Sequence, residues 1–299
     1  HYGVYNMKSP IEQSIKEKIK VLAKEQETSF AQLWRNLILE RFLTRLSQSA
    51  YRDKFVLKGG TLLAKYLPLG RETKDLDFFV QKLSNTEKEL ESVLRSVCDI
   101  DVNDSFVFEM VKVDVLEHVH MAYTGAQISL LAKFGATKTT IRMDLGFGDV
   151  VEAIDYRMDL TATTKGPLFE SKISLRCYPK EFIFAEKLET VVFRGEENTR
   201  MKDFHDLYSL ISIGSLSETH AEKAIELVFN HRRTSLKGLP IAFDTNALEQ
   251  LEKGWVLYHR RLKTTKNSLV LPNSIENLID SINQWLKLKT TFCKKNADQ

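Results

Sequence analysis

The 299-residue chain has few of the residues that mark several protein classes. Its three cysteines, Cys98, Cys177 and Cys293, stand alone without a C-x-x-C pair, so neither a disulfide scaffold nor a structural zinc site is indicated, and a reducing, cytoplasmic setting is expected. With 13 glycines and 6 prolines, a collagen-like or low-complexity protein is excluded. No run approaches the roughly 18 apolar residues of a membrane span, so we expect no membrane partner.

Several motifs are also missing. His1–Asn6 lacks the charged and apolar segments of a secretory signal, and Met7 is a candidate initiator, so the first six residues are not expected to be part of the fold. There is no P-loop, no G-x-G-x-x-G after a strand, no G-x-S-x-G and no H-E-x-x-H. His118 and His120 share a strand face, but no third metal ligand at a suitable spacing is evident, and we interpret them as surface or pocket residues.

The overall charge does not indicate a nucleic-acid binder, because 43 Lys and Arg stand against 40 Asp and Glu. The distribution is uneven, since residues 231–299 carry 12 basic and 6 acidic side chains. Such a basic end could follow phosphates. A solvated helical surface explains the same count, and composition alone favours that interpretation.

The order of sequence patterns predicts helices, then an α/β region, then helices. A capping box at residues 9–12 and Ser29 followed by Gln32 begin two helices. Strands are predicted at Phe55–Leu57, at 75–80 and around 141–145, where Arg142 and Asp144 alternate with apolar residues. A capped amphipathic helix is predicted over 84–97, and 149–176 is interpreted as a connector. We therefore predict an α/β fold on a mixed sheet, with N-terminal helices (7–50), an α/β domain (51–177) and a helical C-terminal domain (178–299).

The spacing between a glycine-threonine motif and three aspartates favours phosphate chemistry. Gly59-Gly60-Thr61 follows a strand, Asp75 and Asp77 come fourteen and sixteen positions after Thr61, and Asp144 lies on a later strand. Carboxylates two apart on a strand share a face, and three converging carboxylates need cations such as Mg²⁺ or Mn²⁺ to offset their repulsion. The glycines and Thr61 suit close approach of a phosphate to the start of a helix. Isolated D-x-D pairs and glycine turns also occur without any such function.

The helical half offers further candidates. Lys187 and Arg194 lie seven apart on one helical face, and the segment from Lys202 through Asp203 to Asp206 opens the next helix. Lys187 could meet a triphosphate. A solvated helix face explains the basic pair equally well, and an acidic residue such as Asp203 is ordinary in the first turn of a helix.

Several separated segments, in order, resemble one known family. They are Leu57-Lys58-Gly59-Gly60-Thr61, Arg71-x-Thr73-x-Asp75-Leu76-Asp77-Phe78, Arg142-Met143-Asp144-Leu145-Gly146-Phe147-Gly148-Asp149, Ala185-Glu186-Lys187-Leu188-Glu189 and Arg200-Met201-Lys202-Asp203-Phe204-His205-Asp206-Leu207-Tyr208. They are similar to motifs of the AbiEii/AbiGii toxin family of nucleotidyltransferases. Where the family's first motif often has Gly-Ser, this chain has Gly60-Thr61, which keeps the hydroxyl.

The resemblance implies a polymerase-β-like minimal nucleotidyltransferase fold and the role of toxin in a toxin–antitoxin or abortive-infection pair. It also implies Mg²⁺ or Mn²⁺ as cofactor and an NTP as substrate, with RNA, for example the acceptor end of tRNA, as acceptor and an antitoxin as possible partner. At the positions that match the family's motifs, the resemblance implies that the catalytic residues are Asp75, Asp77, Asp144, Lys187 and Asp203. Of these, Asp75, Asp77 and Asp144 are expected to bind metal. The predicted nucleotide-binding residues are Gly59, Gly60, Thr61, Arg71, Thr73, Lys187, Arg194, Lys202 and Asp206.

Two alternatives stay open at this point. The same site could modify a protein hydroxyl, or the chain could be a nucleotide-binding regulator without transferase activity. The acidic and basic residues of the motifs argue against the second alternative, because a binding module does not need a full set of metal ligands.

Overall fold

The computed structural model describes residues 10–116, 125–213, 216–262 and 269–292. The predicted histidine pair, His118 and His120, lies outside these residues, as do Ser9 of the first capping box and Cys293. Within the described residues, no helix is long and apolar enough to cross a membrane. The chain divides into two compact units.

The first unit takes in His1–Lys65, Glu72–Asp149 and Ala153–Cys177, as far as these are described. It opens with helices α1 (Pro10–Glu25) and α2 (Phe30–Gln48). The predicted cap of α2 is confirmed, because the Ser29 hydroxyl accepts a hydrogen bond from the Gln32 backbone N–H at 3.1 Å. Helix α2 buries an apolar stripe that includes Trp34, whose ring lies 5.7 Å from that of Phe134 on the sheet.

A seven-stranded mixed sheet forms the centre of this unit, which confirms the predicted α/β fold on a mixed sheet. Its strands are β1 (Phe55–Lys58), β2 (Leu76–Val80), β3 (Phe106–Leu116), β4 (Gly125–Phe134), β5 (Thr137–Phe147), β6 (Ile154–Asp159) and β9 (Lys172–Cys177). They lie in the order β3-β4-β5-β2-β1-β9-β6. Strand β2 pairs antiparallel with β1 and parallel with β5, so the sheet is mixed.

Two helices flank the early strands. Helix α3 (Gly59–Tyr66) follows β1 without a break, so the glycine pair forms the start of the helix itself. Helix α4 (Glu87–Cys98) begins three residues later than predicted, because Thr86 rather than Ser84 caps it. The Ser84 hydroxyl instead binds the side chain of Glu89.

The interpretation of residues 149–176 as a connector is wrong. Strands β6 and β9 pair antiparallel with each other, and β9 adds to β1 in the main sheet. Between them, β7 (Ala162–Thr163) and β8 (Gly166–Pro167) form a separate two-stranded sheet. The missed signal is the alternation in β9, where Ile173, Leu175 and Cys177 are buried and the residues between them are more exposed.

The second unit takes in Tyr66–Arg71, Val150–Glu152 and Tyr178–Gln299, as far as these are described. Its core is helical, with aromatic contacts such as that between Phe184 and Trp285, whose ring centroids are 5.0 Å apart. The short segment Tyr66–Arg71 joins α3 to β2 along the chain but belongs to this unit, which the sequence gives no reason to expect. Its helices are α5 (Lys180–Arg194), α6 (Met201–Ser212), α7 (Glu218–Arg232), α8 (Thr245–Arg261) and α9 (Ile275–Lys289).

Candidate functional site

A row of polar side chains, which we call the acidic row, crosses four neighbouring strands of the sheet. Asp77 on β2 is the register partner of both Lys58 on β1 and Asp144 on β5, and Asp144 is in turn the partner of Gln127 on β4. Register partners on neighbouring strands lie side by side on one face, with strands about 4.8 Å apart. Two of the three predicted carboxylates therefore lie next to each other, Asp77 half-buried and Asp144 exposed.

The third predicted carboxylate, Asp75, lies immediately before β2. Its side chain is exposed, while its backbone carbonyl accepts a hydrogen bond from the Thr61 hydroxyl at 2.8 Å. Thr61 is buried in the first turn of α3. This bond joins the glycine-threonine motif to the aspartate motif, and it gives Thr61 a structural role that the sequence does not indicate.

Gly59 makes room for the Asp77 carboxylate. Its φ of +71° lies in the left-handed region, and a Cβ placed on it would come 2.0 Å from Asp77 Oδ2. The carboxylate therefore lies directly against the start of α3, where backbone N–H groups give the helix a positive end. Only glycine allows this approach, since any side chain at position 59 would collide with Asp77.

We expect Gly59→Ala to displace the Asp77 carboxylate and lower stability by about 2–4 kcal/mol, the sum of a left-handed backbone penalty and of overpacking. Thermal melting and a transferase assay would measure the two effects. The matched control is Gly59→Ala in an Asp77→Ala background, which keeps the same backbone strain and removes the carboxylate atoms that lie 2.0 and 2.6 Å from that Cβ position. Equal destabilisation by Gly59→Ala in the two backgrounds would show that the contact with the Asp77 carboxylate contributes nothing.

Lys58 brings a cation to the acidic row. Its Nζ lies 2.5 Å from Asp149 Oδ2, and both side chains are largely buried. Because Lys58 is also the register partner of Asp77, its charge offsets part of the carboxylate repulsion in the row. Sequence reasoning missed this role, although the residue stands directly before the glycine pair and is part of the motif.

The acidic row suits a hard divalent cation. Carboxylate oxygens are the ligands that Mg²⁺ and Mn²⁺ prefer, and Asp77 and Asp144 offer them side by side. Across the described part of the chain, no group of three or more His, Cys, Asp or Glu side chains is arranged to hold a metal ion. The structure thus provides two neighbouring donors, with Asp75 in the adjoining segment.

A second charged cluster, which we call the Arg71 cluster, lies inside the helical unit and contains four of the predicted site residues. Asp206 accepts a bidentate pair of hydrogen bonds from Arg71, at 2.8 and 2.7 Å, and lies 2.7 Å from the Lys187 ammonium. Lys187 also donates to Asp203 at 2.8 Å. All four side chains are largely buried, so each charge depends on its partners for stabilisation.

The pairing shifts the pKa values of this cluster away from neutrality. Burial alone would raise the pKa of Asp206, but Lys187 and Arg71 outweigh it and lower that pKa to about 2. Burial alone would lower the pKa of Lys187, but the carboxylates of Asp206 and Asp203 raise it. Both groups therefore stay charged over the whole physiological range.

His205 is a buried neighbour of this cluster that sequence reasoning missed. Its Nδ1 lies 2.8 Å from the Tyr258 hydroxyl, and its ring also forms a hydrogen bond with the backbone of Leu69. Burial lowers the pKa of His205 to about 4, so the ring is neutral at pH 7. Neither its position in the motif nor the distant Tyr258 signals this pairing in the sequence.

This burial predicts a pH dependence of stability. Because the pKa of His205 falls from an ordinary 6.5 to about 4 on folding, its contribution is complete above pH 6.5 and is lost as the pH falls to about 4. The loss should be on the order of 3 kcal/mol. Urea unfolding of wild type and His205→Gln at several pH values would isolate it, and parallel curves for the two proteins would contradict the prediction.

The remaining predicted nucleotide-binding residues are spread over both units. Gly60 and Thr73 are half-buried in the first, whereas Arg194 and Lys202 are exposed on helices of the second. The structure thus gathers Gly59, Gly60, Thr61, Asp75, Asp77 and Asp144 in one unit. In the other it gathers Arg71, Lys187, Asp203 and Asp206.

Solved structures that align with this chain have low sequence identity to it. In structure the chain is similar to JHP933 from Helicobacter pylori, at a TM-score of 0.50 and 16% identity over 90% of this chain and 96% of that one. An antigenic nucleotidyltransferase-like protein from Paracoccidioides brasiliensis aligns at a TM-score of 0.39 and 16% identity, over 71% of this chain and 95% of that one. A search of the curated proteins found no match.

A family model supplies the assignment. The model described as nucleotidyl transferase AbiEii toxin, type IV toxin–antitoxin system, matches residues 41–280, a range that includes the acidic row on the sheet and the Arg71 cluster. The motifs that suggest phosphate chemistry therefore lie inside a match that spans most of the chain. The chain belongs to the AbiEii family of nucleotidyltransferase toxins of type IV toxin–antitoxin systems.

Proposed function

We propose that this nucleotidyltransferase moves a nucleoside monophosphate from an NTP to the 3′ hydroxyl of an RNA, with the acceptor end of tRNA as the preferred target. The observation that carries the proposal is the pairing of Asp77 with Asp144 next to the start of α3. Nucleotidyl transfer needs carboxylates where an acceptor hydroxyl meets a phosphate, and this row supplies them on an open sheet face.

In the proposed reaction the RNA 3′ oxygen attacks the α-phosphorus of the NTP. The bond between that phosphorus and the bridging oxygen breaks, pyrophosphate leaves, and the hydroxyl proton passes to a carboxylate of the acidic row. Asp75, Asp77 and Asp144 would hold Mg²⁺ or Mn²⁺, which when bound would neutralise phosphate charge and make the hydroxyl a better nucleophile. The start of α3, with Gly60 and Thr61, would orient the phosphates through its backbone N–H groups.

The family resemblance also assigns Lys187 and Asp203 to the reaction and Arg71, Thr73, Arg194, Lys202 and Asp206 to nucleotide binding. In the described structure Arg71 and Lys187 hold Asp206, so their contact with a triphosphate stays a proposal. An anionic triphosphate is the ligand that these two cations would favour by charge.

A labelling experiment tests the proposal. The protein is incubated with each of the four labelled NTPs, Mg²⁺, total cellular RNA and total cellular protein, and the fractions are then separated. We expect label in RNA, with pyrophosphate released in equal amount, and loss of labelling after periodate oxidation of the RNA 3′ ends. Label in the protein fraction would support modification of a protein hydroxyl, and nucleotide binding without any transfer would support a regulator.

The family implies a cognate antitoxin, and growth provides a second test of the proposed role. Expression of the wild-type chain without an antitoxin should arrest growth, and an Asp77→Ala chain produced at the same level should not. Arrest by both chains would separate toxicity from nucleotidyl transfer.

A further inference from the structure

Strands β3, β4 and β5 present an open, polar face beside the acidic row. Their other face is buried, with side chains such as Phe108, Leu130 and Met143 in the core. Because strand side chains alternate between faces, every second residue of these strands lies on the open side, apart from one extra residue in β3 where the register shifts between Met110 and Lys112. The outward residues, which we call the open face, are Val107, Glu109, Lys112, Asp114, Gln127, Ser129, Leu131, Lys133, Lys138, Thr140, Arg142 and Asp144.

The open face carries a positive excess outside the acidic row. The face carries four cationic side chains, Lys112, Lys133, Lys138 and Arg142. Two of them form ion pairs with the acidic residues of β3, Lys133 with Glu109 and Lys112 with Asp114. Arg142 and Lys138 are exposed and form no ion pair with a described residue. Two cations on β5 are thus available to an anionic ligand from solution.

These two cations lie in line with Asp144. Arg142 precedes Asp144 by two residues on the same face of β5, a distance of about 7 Å, and Lys138 precedes it by six, about 20 Å. The row that contains Arg142 continues across the sheet through Ser129 to Lys112. A basic surface therefore extends along the strands from the acidic row outward.

We propose that the open face binds the sugar–phosphate backbone of the acceptor RNA and leads its 3′ hydroxyl to Asp77 and Asp144. This inference rests on the proposed transfer to RNA, because a 3′ end that reacts at the acidic row must leave it across some neighbouring surface. A span of about 20 Å corresponds to about six phosphates along one strand of a helical nucleic acid, at about 3.4 Å of helix axis each, whereas an NTP carries only three adjacent phosphates. The charge and the length therefore favour an RNA strand over the nucleotide substrate.

The test compares two double variants. The β5 variant is Arg142→Glu/Lys138→Glu, and the α8 control is Arg260→Glu/Arg261→Glu, which makes the same charge change on two exposed arginines of α8. RNA binding is measured by fluorescence anisotropy in the Asp77→Ala background across a range of salt concentrations, so it does not depend on transfer. The β5 variant should bind RNA at least 10-fold more weakly, and its salt slope should fall by about 1.4, at 0.7 for each lost phosphate contact on a single strand. In an otherwise wild-type background, the KM for the NTP should stay unchanged.

An unchanged RNA affinity or salt slope in the β5 variant would overturn the inference. So would a rise confined to the KM for the NTP, which would make Arg142 and Lys138 nucleotide contacts, or an equal loss in the α8 control. Failure of the proposed function looks different, because RNA would then bind to the open face without receiving label. Circular dichroism of both variants checks that the fold is retained.

Discussion

Asp77→Ala should lower the rate of nucleotidyl transfer by about 10³-fold or more, roughly 4 kcal/mol, and leave the protein folded. Asp77 is the register partner of both Lys58 and Asp144, so its carboxylate is the central group of the acidic row. Its removal takes away one proposed metal ligand and also relieves repulsion from Asp144. The melting temperature should therefore stay within about 3 °C of wild type, and a single-turnover assay would give the rate.

Asp159→Ala is the matched control for this substitution. Asp159 is an exposed carboxylate on β6 of the same sheet, outside both the acidic row and the open face. Its removal should leave transfer within about 2-fold of wild type, because an exposed pair such as Asp159 with Lys172 contributes little. A large loss of stability in Asp77→Ala would instead assign Asp77 a structural role.

Asp206→Ala should destabilise the protein by about 3–5 kcal/mol, the usual cost of leaving a buried charge without its partner. Asp206 is fully buried and accepts hydrogen bonds from Arg71 and Lys187, both of which would lose a partner carboxylate. Because the pKa of Asp206 is lowered to about 2, its contribution is present above pH 4 and is lost as the pH falls from about 4 to about 2. Urea unfolding at pH 7 and at pH 3 would measure both effects.

Arg200→Ala tests whether any ion pair of this cluster has the same effect. Arg200 lies 2.9 Å from Asp203, but its side chain is 57% exposed, so the substitution should cost less than about 1 kcal/mol. If Asp206→Ala unfolded at the same urea concentration as wild type, the buried network would contribute nothing to stability. The segment Tyr66–Arg71 should also become sensitive to protease in Asp206→Ala, because Arg71 loses its bidentate anchor.

The parts of the fold that the sequence predicts are those with a strong local pattern. The cap at Ser29, strand β1 and the alternation around Asp144 each depend on a few neighbouring residues, and all three are confirmed. The interpretation of 149–176 as a connector is wrong because β6 and β9 are short and β9 joins the main sheet through β1, which lies about 120 residues earlier in the sequence. Local periodicity is weakest in such strands, and tertiary pairing decides their structure.

The candidate site, like the fold, is predicted by local sequence patterns only in part. The spacing of Asp75, Asp77 and Asp144 identifies the acidic residues, but only the register shows that Asp77 and Asp144 are neighbours. The pairing of Arg71 with Asp206 joins residues 135 positions apart, and no single-sequence pattern contains such a distance. Predicted individually as nucleotide contacts, these two residues prove to be each other's partner in the structure.

The parallel pairing of β2 with β5 also has a consequence for the timing of synthesis. Asp144 leaves the ribosome 67 residues after Asp77, about 3–13 s later at 5–20 residues per second, and β9 follows to pair with β1. During that interval the nascent chain carries half of its carboxylate pair. A polypeptide released early, anywhere before Asp144, cannot form the acidic row, so under the proposed function translation that stops short would yield no active toxin.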